Sequence, residues 1–271
     1  MAVRSLVYIL AVTAAAVGTF AACGDDSDGS APADGGSRAD DGGAADAPAD
    51  ADGPADAGHD APVIVPDAGW VGPDGGIAGA MNFFVTSRGK GTGGDLRADA
   101  GDPDGLAGAD AFCKELAEAV SPVLGAKTWR AYLSTSTVTA RSRIGKGPWV
   151  NAKGVVIAND TAHLHDEGAP NLLTFETNLD ETGQPVSISG PNEHDILTGA
   201  TAAGGSAADT CANWTSSATG VKGQVGHSNR NGGGSAPTSW NASHPSFGCA
   251  EMGENSVRRG GGRGSFYCFA N

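Results

Sequence analysis

The run Gly108-Ala109-Asp110-Ala111-Phe112-Cys113-Lys114-Glu115-Leu116-Ala117-Glu118-Ala119-Val120-Ser121-Pro122 decides the fold class. Phe112, Leu116 and Val120 recur at i, i+4 and i+8 on one helical face, and Cys113 and Ala117 flank it. The cysteine is therefore predicted to point at a core. Asp110 offers an oxygen to the first free amides and reads as the N-cap of a helix starting near Gly108; Pro122 closes the helix region. Upstream, Met81–Thr86 is apolar and β-prone. Downstream, Trp129-Arg130-Ala131-Tyr132-Leu133 alternates, with Trp129, Ala131 and Leu133 on one side, as a half-buried strand does. Val155–Ala158 and Asp195–Thr198 are further short strand candidates, and Ser265–Phe269 closes the domain as a strand. Between them lie Gly/Ser/Asn-rich loops, notably Gly220–Gly234. One main helix, short strands and long loops predict an α+β domain over residues 77–271.

The N-terminal third is of another kind. Arg4 gives a positive start, and Leu6–Phe20 is an uncharged apolar run ending in small residues. That run is short of the roughly 20 residues needed to span a bilayer, so residues 1–22 read as a signal peptide. Its end, Phe20-Ala21-Ala22-Cys23, resembles the lipobox of bacterial lipoproteins, with Phe20 where leucine is usual. The resemblance implies that the Cys23 sulfur carries a diacylglycerol. Residues 23–76 then form an acidic tether built from Ala, Asp, Gly, Pro and Ser, which cannot bury enough surface to offset the entropy of ordering it. About fifty such residues span on the order of 40 Å, and charge repulsion lengthens this. Residues 24–76 hold thirteen Asp and one Arg, and so carry most of the formal charge of −14. The remaining domain is nearly neutral, which argues against nucleic acid as a partner.

Five cysteines leave an odd one in an exported protein. Setting Cys23 aside for the lipid leaves Cys113, Cys211, Cys249 and Cys268, an even set that reads as two disulfides in an oxidising compartment. No pair has the spacing of a zinc knuckle.

Gly108-Ala109-Asp110-Ala111-Phe112-Cys113 and Thr128–Ser136 resemble the opening of endostatin, the C-terminal domain of certain collagens. The similarity continues through His194–Gly199, Cys211-Ala212-Asn213-Trp214-Thr215 and Phe266-Tyr267-Cys268. The chain is also similar to a family of bacterial lipoproteins with the same Gly-Ala-Asp-x-x-Cys opening. The resemblance implies a variant of the C-type lectin fold with nested disulfides, Cys113 with Cys268 and Cys211 with Cys249. It does not extend to the calcium-dependent sugar site of such lectins. Gln184-Pro185-Val186 and Pro191-Asn192-Glu193 lack the expected acid, and His244–Gly248 before Cys249 offers no carboxylate. The zinc-binding N-terminal segment of endostatin has no counterpart here.

Weaker candidates remain. Asp99, Asp102, Asp104 and Asp110 surround Gly101 and Gly105 without the alternation of a calcium loop, so calcium is at most a loop brace there. His163 and His165 fall on one face of an extended segment, without an obvious third metal ligand. Arg258, Arg259 and Arg263 form the basic cluster of a hairpin tip that could meet an anionic glycan. Trp240 and Asn241 stand on a polar loop, where an exposed tryptophan is a usual anchor for recognition; Trp214 reads as core. There is no Gly-x-Ser-x-Gly elbow, no His-Glu-x-x-His and no phosphate loop, and the domain cysteines are taken by bridges. The expectation is a membrane-anchored envelope lipoprotein, at the outer membrane or cell surface. It would display a monomeric, non-catalytic domain for a protein or glycan, with no cofactor required. The alternatives are a structural envelope protein without a discrete ligand and an enzyme whose site the sequence hides.

Overall fold

Five successive apolar residues, Phe266-Tyr267-Cys268-Phe269-Ala270, are the pattern of a strand covered on both faces. The computed structural model describes residues 79–271; the predicted signal peptide, Cys23 and the tether of residues 23–76 lie outside the described residues. In chain order the elements are β1 (Phe83–Val85), α1 (Leu106–Val120), α2 (Pro122–Gly125), β2 (Trp129–Ala131), α3 (Ala140–Arg143), β3 (Trp149–Val150), β4 (Val156–Ala158), α4 (Thr161–Leu164), β5 (Asp195–Leu197), β6 (Gln224–His227), β7 (His244–Pro245) and β8 (Gly262–Ala270). The domain is α+β.

The apolar run is the second half of β8, the strand at the centre of the main sheet, whose order is β1-β8-β5-β6-β7. β1 and β2 both pair antiparallel with it, Phe84 and Ala131 each standing opposite Cys268. Nearer its start, β5 runs parallel to β8, with Leu197 opposite Phe266. β6 and β7 follow antiparallel, and β3 with β4 forms a separate ribbon. Alternation along β8 then fills two cores. Phe266, Cys268 and Ala270 join Phe112, Leu116, Trp129 and Trp214 on the side of α1. Tyr267 and Phe269 join Phe83, Tyr132, Trp149 and Trp240 on the other.

Helix α1 begins earlier than the predicted Gly108 start. Gly105 holds the N-cap position, and Asp104 Oδ1 accepts from the Leu106 amide at 2.9 Å. Asp110 is not the cap but lies within the helix. Its carboxylate accepts from the Ala131 amide at 2.8 Å, from Arg130 Nη1 at 2.9 Å and from Arg143 Nη2 at 2.8 Å. It ties α1 to β2 and α3, a tertiary task that its local sequence cannot announce. Val120, the third member of the predicted apolar stripe, is 41% exposed because α1 has passed the edge of the core by then. The predicted loop Gly220–Gly234 contains β6. Gly226 lies so near Trp240 that any Cβ there would come within 1.9 Å of its carbonyl oxygen. A glycine required by close packing reads as a loop signal in sequence.

The disulfides are Cys113–Cys268 and Cys211–Cys249. They enclose 155 and 38 residues, worth at most roughly 5 and 4 kcal/mol in the chain-entropy account. Cys211-Ala212-Asn213-Trp214 is a turn of left-handed backbone, with φ of 48°, 54°, 61° and 63°. For residues with a Cβ this costs about 1–2 kcal/mol each. The turn is held by the disulfide, by Trp214 Nε1 donating to Ser134 O at 2.8 Å, and by the Ser136 amide donating to Asn213 Oδ1 at 2.7 Å.

Removing the carboxylate of Asp110 strands two guanidinium groups and a backbone amide. Asp110→Ala is expected to lower unfolding free energy by about 3 kcal/mol in denaturant melts. Glu181 gives a pH test. Burial pushes its carboxyl above the ordinary glutamate range, although Ser87 donates to it from amide and hydroxyl. A raised folded pKa means that its stabilising contribution is full below the unfolded glutamate value and lost as pH rises through the folded one. Glu181→Gln keeps an acceptor without that titration. Its stability relative to the parent should therefore rise across this window, as followed by thermal melts from pH 4 upward.

Candidate functional site

Strand pairing gathers residues that are distant in sequence. The β5–β6 register sets Asp195 opposite His227, and the β6–β7 register sets His244 opposite Val225, two residues before His227. His194 precedes Asp195 at the start of β5. The result is three imidazoles around one carboxylate oxygen. Asp195 Oδ1 lies 3.2 Å from His194 Nε2, 3.3 Å from His227 Nε2 and 3.6 Å from His244 Nε2. Asp195 and His227 are buried, and only His244 has appreciable side-chain exposure, 22%. The His194 and His227 rings stack at 4.4 Å with 10° between their planes, and His244 meets His227 edge-on at 68°. Two glycines at positive φ make room for this. A Cβ on Gly232 (φ 129°) would come within 2.7 Å of His194 Cε1, and one on Gly261 (φ 131°) within 2.9 Å of His194 Cδ2.

The other ring nitrogens are also engaged. His194 Nδ1 is 3.1 Å from Asn229 Oδ1, His227 Nδ1 is 3.0 Å from Pro237 O, and His244 Nδ1 is 2.9 Å from Pro245 O. Burial would raise the pKa of Asp195, but the surrounding imidazoles outweigh it and hold the carboxyl well below its ordinary range. Asp195 in turn raises His194 and His244, against the opposing effect of burial. Among the described residues, His194, Asp195 and His227 form a set of potential ligand atoms all within 4.8 Å of one another; His244 lies outside that set, its Nε2 3.6 Å from Asp195 Oδ1. The donor set of three imidazoles and a carboxylate suits a transition-metal ion better than calcium, which takes oxygen ligands.

A cleft of about 430 Å³ opens over this cluster, lined by His194, Lys222, Gly233, Gly234, His244, Pro245, Ser246, Phe247 and Gly260. Phe247 is 49% exposed, and the Arg259 guanidinium lies 5.8 Å above its ring. The wall thus combines an aromatic face with cationic and hydrogen-bonding groups.

The residues singled out from sequence are mostly elsewhere. Trp240 and Asn241 are both 1% exposed, so neither is a surface anchor. Trp240 packs on Tyr132 and Tyr267, and Asn241 Nδ2 donates to Tyr132 OH at 2.9 Å. A tryptophan in a polar stretch reads as exposed only while the packing of that stretch is unknown. Arg263 is no hairpin tip: it pairs with Glu193 at 2.8 Å and donates to Thr86 O, with 14% of its side chain exposed. Arg258 pairs with Glu251 and Arg259 with Glu254 on the surface, and Arg259 borders the cleft through Phe247.

Asp99, Asp102, Asp104 and Asp110 do not converge on one point. Asp102 Oδ2 accepts from the Ala98 and Asp99 amides, Asp104 accepts from the Leu106 amide at the start of α1, and Asp110 is taken up by its arginines. His163 and His165 sit at the end of α4 rather than on an extended segment, and they face different partners. His163 Nε2 is 3.0 Å from Pro170 O, whereas His165 Nε2 is 2.8 Å from Tyr132 OH. The sequence reading did not assemble His194, Asp195, His227 and His244, because no local spacing joins them. The available signal was coarser: three of the six histidines stand in or beside Gly/Ser/Asn-rich stretches next to short β-prone runs.

Residues 97–231 match a family model described as a protein of unknown function (DUF1554). The matched span contains His194, Asp195 and His227 and stops before His244. No curated protein matches the chain.

The placements separate structural from surface roles. Trp240→Ala is expected to destabilise the domain by about 3–5 kcal/mol through the cavity it leaves. Phe247→Ala should stay within about 0.5 kcal/mol of the parent. Urea melts of both variants give the comparison, and a Phe247→Ala loss as large as that of Trp240→Ala would place Phe247 in the core.

Proposed function

We propose that this chain is a lipid-anchored protein of the bacterial cell envelope, displayed at the outer membrane or cell surface. Its domain binds a protein or glycan ligand in the cleft over His194, Asp195, His227 and His244. The observation that carries this reading is the cleft itself, where a half-exposed Phe247 and Lys222 stand beside His194 and His244. An aromatic face with nearby donors suits the apolar face and hydroxyl or acidic groups of a sugar, or the side chains of a peptide. The anchor and the export signal rest on residues 1–23. Among the described residues no helix is long and apolar enough to cross a membrane.

Catalysis is supported less well. A histidine acting as general base needs one ring nitrogen on its orienting carboxylate and the other facing substrate. Here each Nε2 faces Asp195 while each Nδ1 meets an amide or backbone oxygen. That arrangement holds rings in place and favours a binding role.

Two measurements test the reading. Cys23→Ala should move the chain from the membrane fraction to the soluble fraction while leaving its disulfides and melting temperature unchanged. An unaltered distribution would place the anchor elsewhere. On an array of neutral and anionic glycans and envelope peptides, the parent chain should give signals that Lys222→Glu and Phe247→Ala each reduce at least about tenfold, the loss expected for roughly 1.4 kcal/mol of contact. Signals untouched by both variants would exclude the cleft as the ligand site.

A further inference from the structure

The contacts around Asp195 are too long for the hydrogen bonds they would otherwise be. Charge-assisted N–H to carboxylate bonds run at about 2.7–2.9 Å, whereas the three here are 3.2, 3.3 and 3.6 Å. Asp195 Oδ1 and His227 Nε2 are buried and have no hydrogen-bond partner. Buried polar atoms without partners are rare enough in native proteins to need a reason.

The outer nitrogens supply that reason. Pro237 O and Pro245 O are carbonyls and can only accept, so Nδ1 of His227 and of His244 carries its proton. Asn229 Oδ1 also accepts from the Asn231 amide at 3.1 Å, which fixes it as the acceptor for His194 Nδ1. When the rings are neutral, each turns the lone pair of Nε2 toward a carboxylate, and four electron-rich atoms meet with no donor between them. A single proton on one ring would balance the Asp195 charge but leave the other two lone pairs facing the carboxylate. Protonating all three rings would leave an excess of two positive charges in a buried cluster, at a high desolvation cost.

We propose that His194, His227, His244 and Asp195 bind one divalent first-row transition-metal ion, of the zinc class, through three Nε2 atoms and Oδ1. Metal-bound histidines commonly donate their second nitrogen to an oxygen acceptor, as all three do here. Bonds of about 2.0–2.1 Å in a tetrahedron separate neighbouring ligand atoms by about 3.3 Å. The distances from Asp195 Oδ1 to the three Nε2 atoms, 3.2, 3.3 and 3.6 Å, fall near that spacing. His194, His227 and Asp195 bring ligand atoms within 4.8 Å of one another, and His244 at the rim must close in to complete the set. His194 is stacked on His227 and must turn to join them, and it lies at the cleft. The site stands whether or not the cleft accepts a glycan or protein.

The test uses the full, untagged chain in detergent, stripped with chelator and titrated separately with Co(II), Zn(II) and Ca(II). One equivalent of Co(II) is expected to give visible d–d bands that one equivalent of Zn(II) abolishes, and Ca(II) should compete for neither. Zn(II) should raise the melting temperature, since binding only the folded state stabilises it. Asn229→Ala, which loses an outer-shell partner, should weaken Zn(II) about 10–100-fold. His244→Ala, at the exposed rim, and Asp195→Asn should weaken it further. Native disulfide maps and near-ultraviolet circular dichroism of His244→Ala would establish that its loss is not a loss of fold. Absence of one-equivalent binding by Co(II) and Zn(II), or binding undiminished in His244→Ala and Asp195→Asn, would overturn the assignment.

Discussion

Everything in this domain hangs on a strand that has no solvent face. β8 is covered by α1 on one side and by the Trp149, Trp240 and Tyr132 cluster on the other, so each of its side chains must fit a packed interior. Its backbone groups must find partners as well, because buried amides and carbonyls cannot turn to water. β1 and β2 flank its end, and β5 takes up part of its beginning. Cys268 then fastens the strand to α1 through Cys113. The strands paired with β8 are each three residues long and could not persist alone. They exist because β8 is there to pair with and to pack against.

This dependence explains which parts of the fold can be read from the chain. The α1 stripe and the alternation in Trp129–Leu133 are local periodicities, and residues 106–120 and 129–131 adopt the helix and strand they imply. The solid apolar run at the C-terminus reads as a strand, but its central place in the sheet belongs to pairing and not to sequence. The start of α1 is ambiguous in sequence because Asp104 and Asp110 have similar capping chemistry, and only the arrival of Arg130, Arg143 and β2 removes Asp110 from the choice. β6 and the burial of Trp240 are hidden in the sequence by one cause. Gly226 brings two backbones into contact, and that contact buries the tryptophan stretch.

The candidate site lies at the far end of the same chain of dependence. Asp195 is on the strand next to β8, His227 is one strand further out, and His244 is on the last. His194 stands next to Asp195, but nothing beside His227 or His244 in sequence reveals their use. Registers must be right across three strands before the four side chains meet, and a slip of one residue would turn every side chain of that strand to the opposite face. The cluster is thus a readout of long-range order in the sheet. Its position at the periphery, beside long glycine-rich loops, gives it access to solvent that a site nearer β8 could not have.

The outer strands have a further consequence for the surface display proposed above. An unpaired sheet edge can recruit a strand from another copy, and copies tethered to one membrane would meet often. In this domain, β7 is two residues long and one of them, Pro245, has no amide hydrogen to offer. At the opposite edge, the Val85 amide is already bonded to Leu179 O and the Asn82 amide to Val150 O. Both margins of the sheet are therefore poor templates. Dense packing of many copies need not lead to edge-to-edge aggregation, even though the interior of the sheet is among the most apolar parts of the chain.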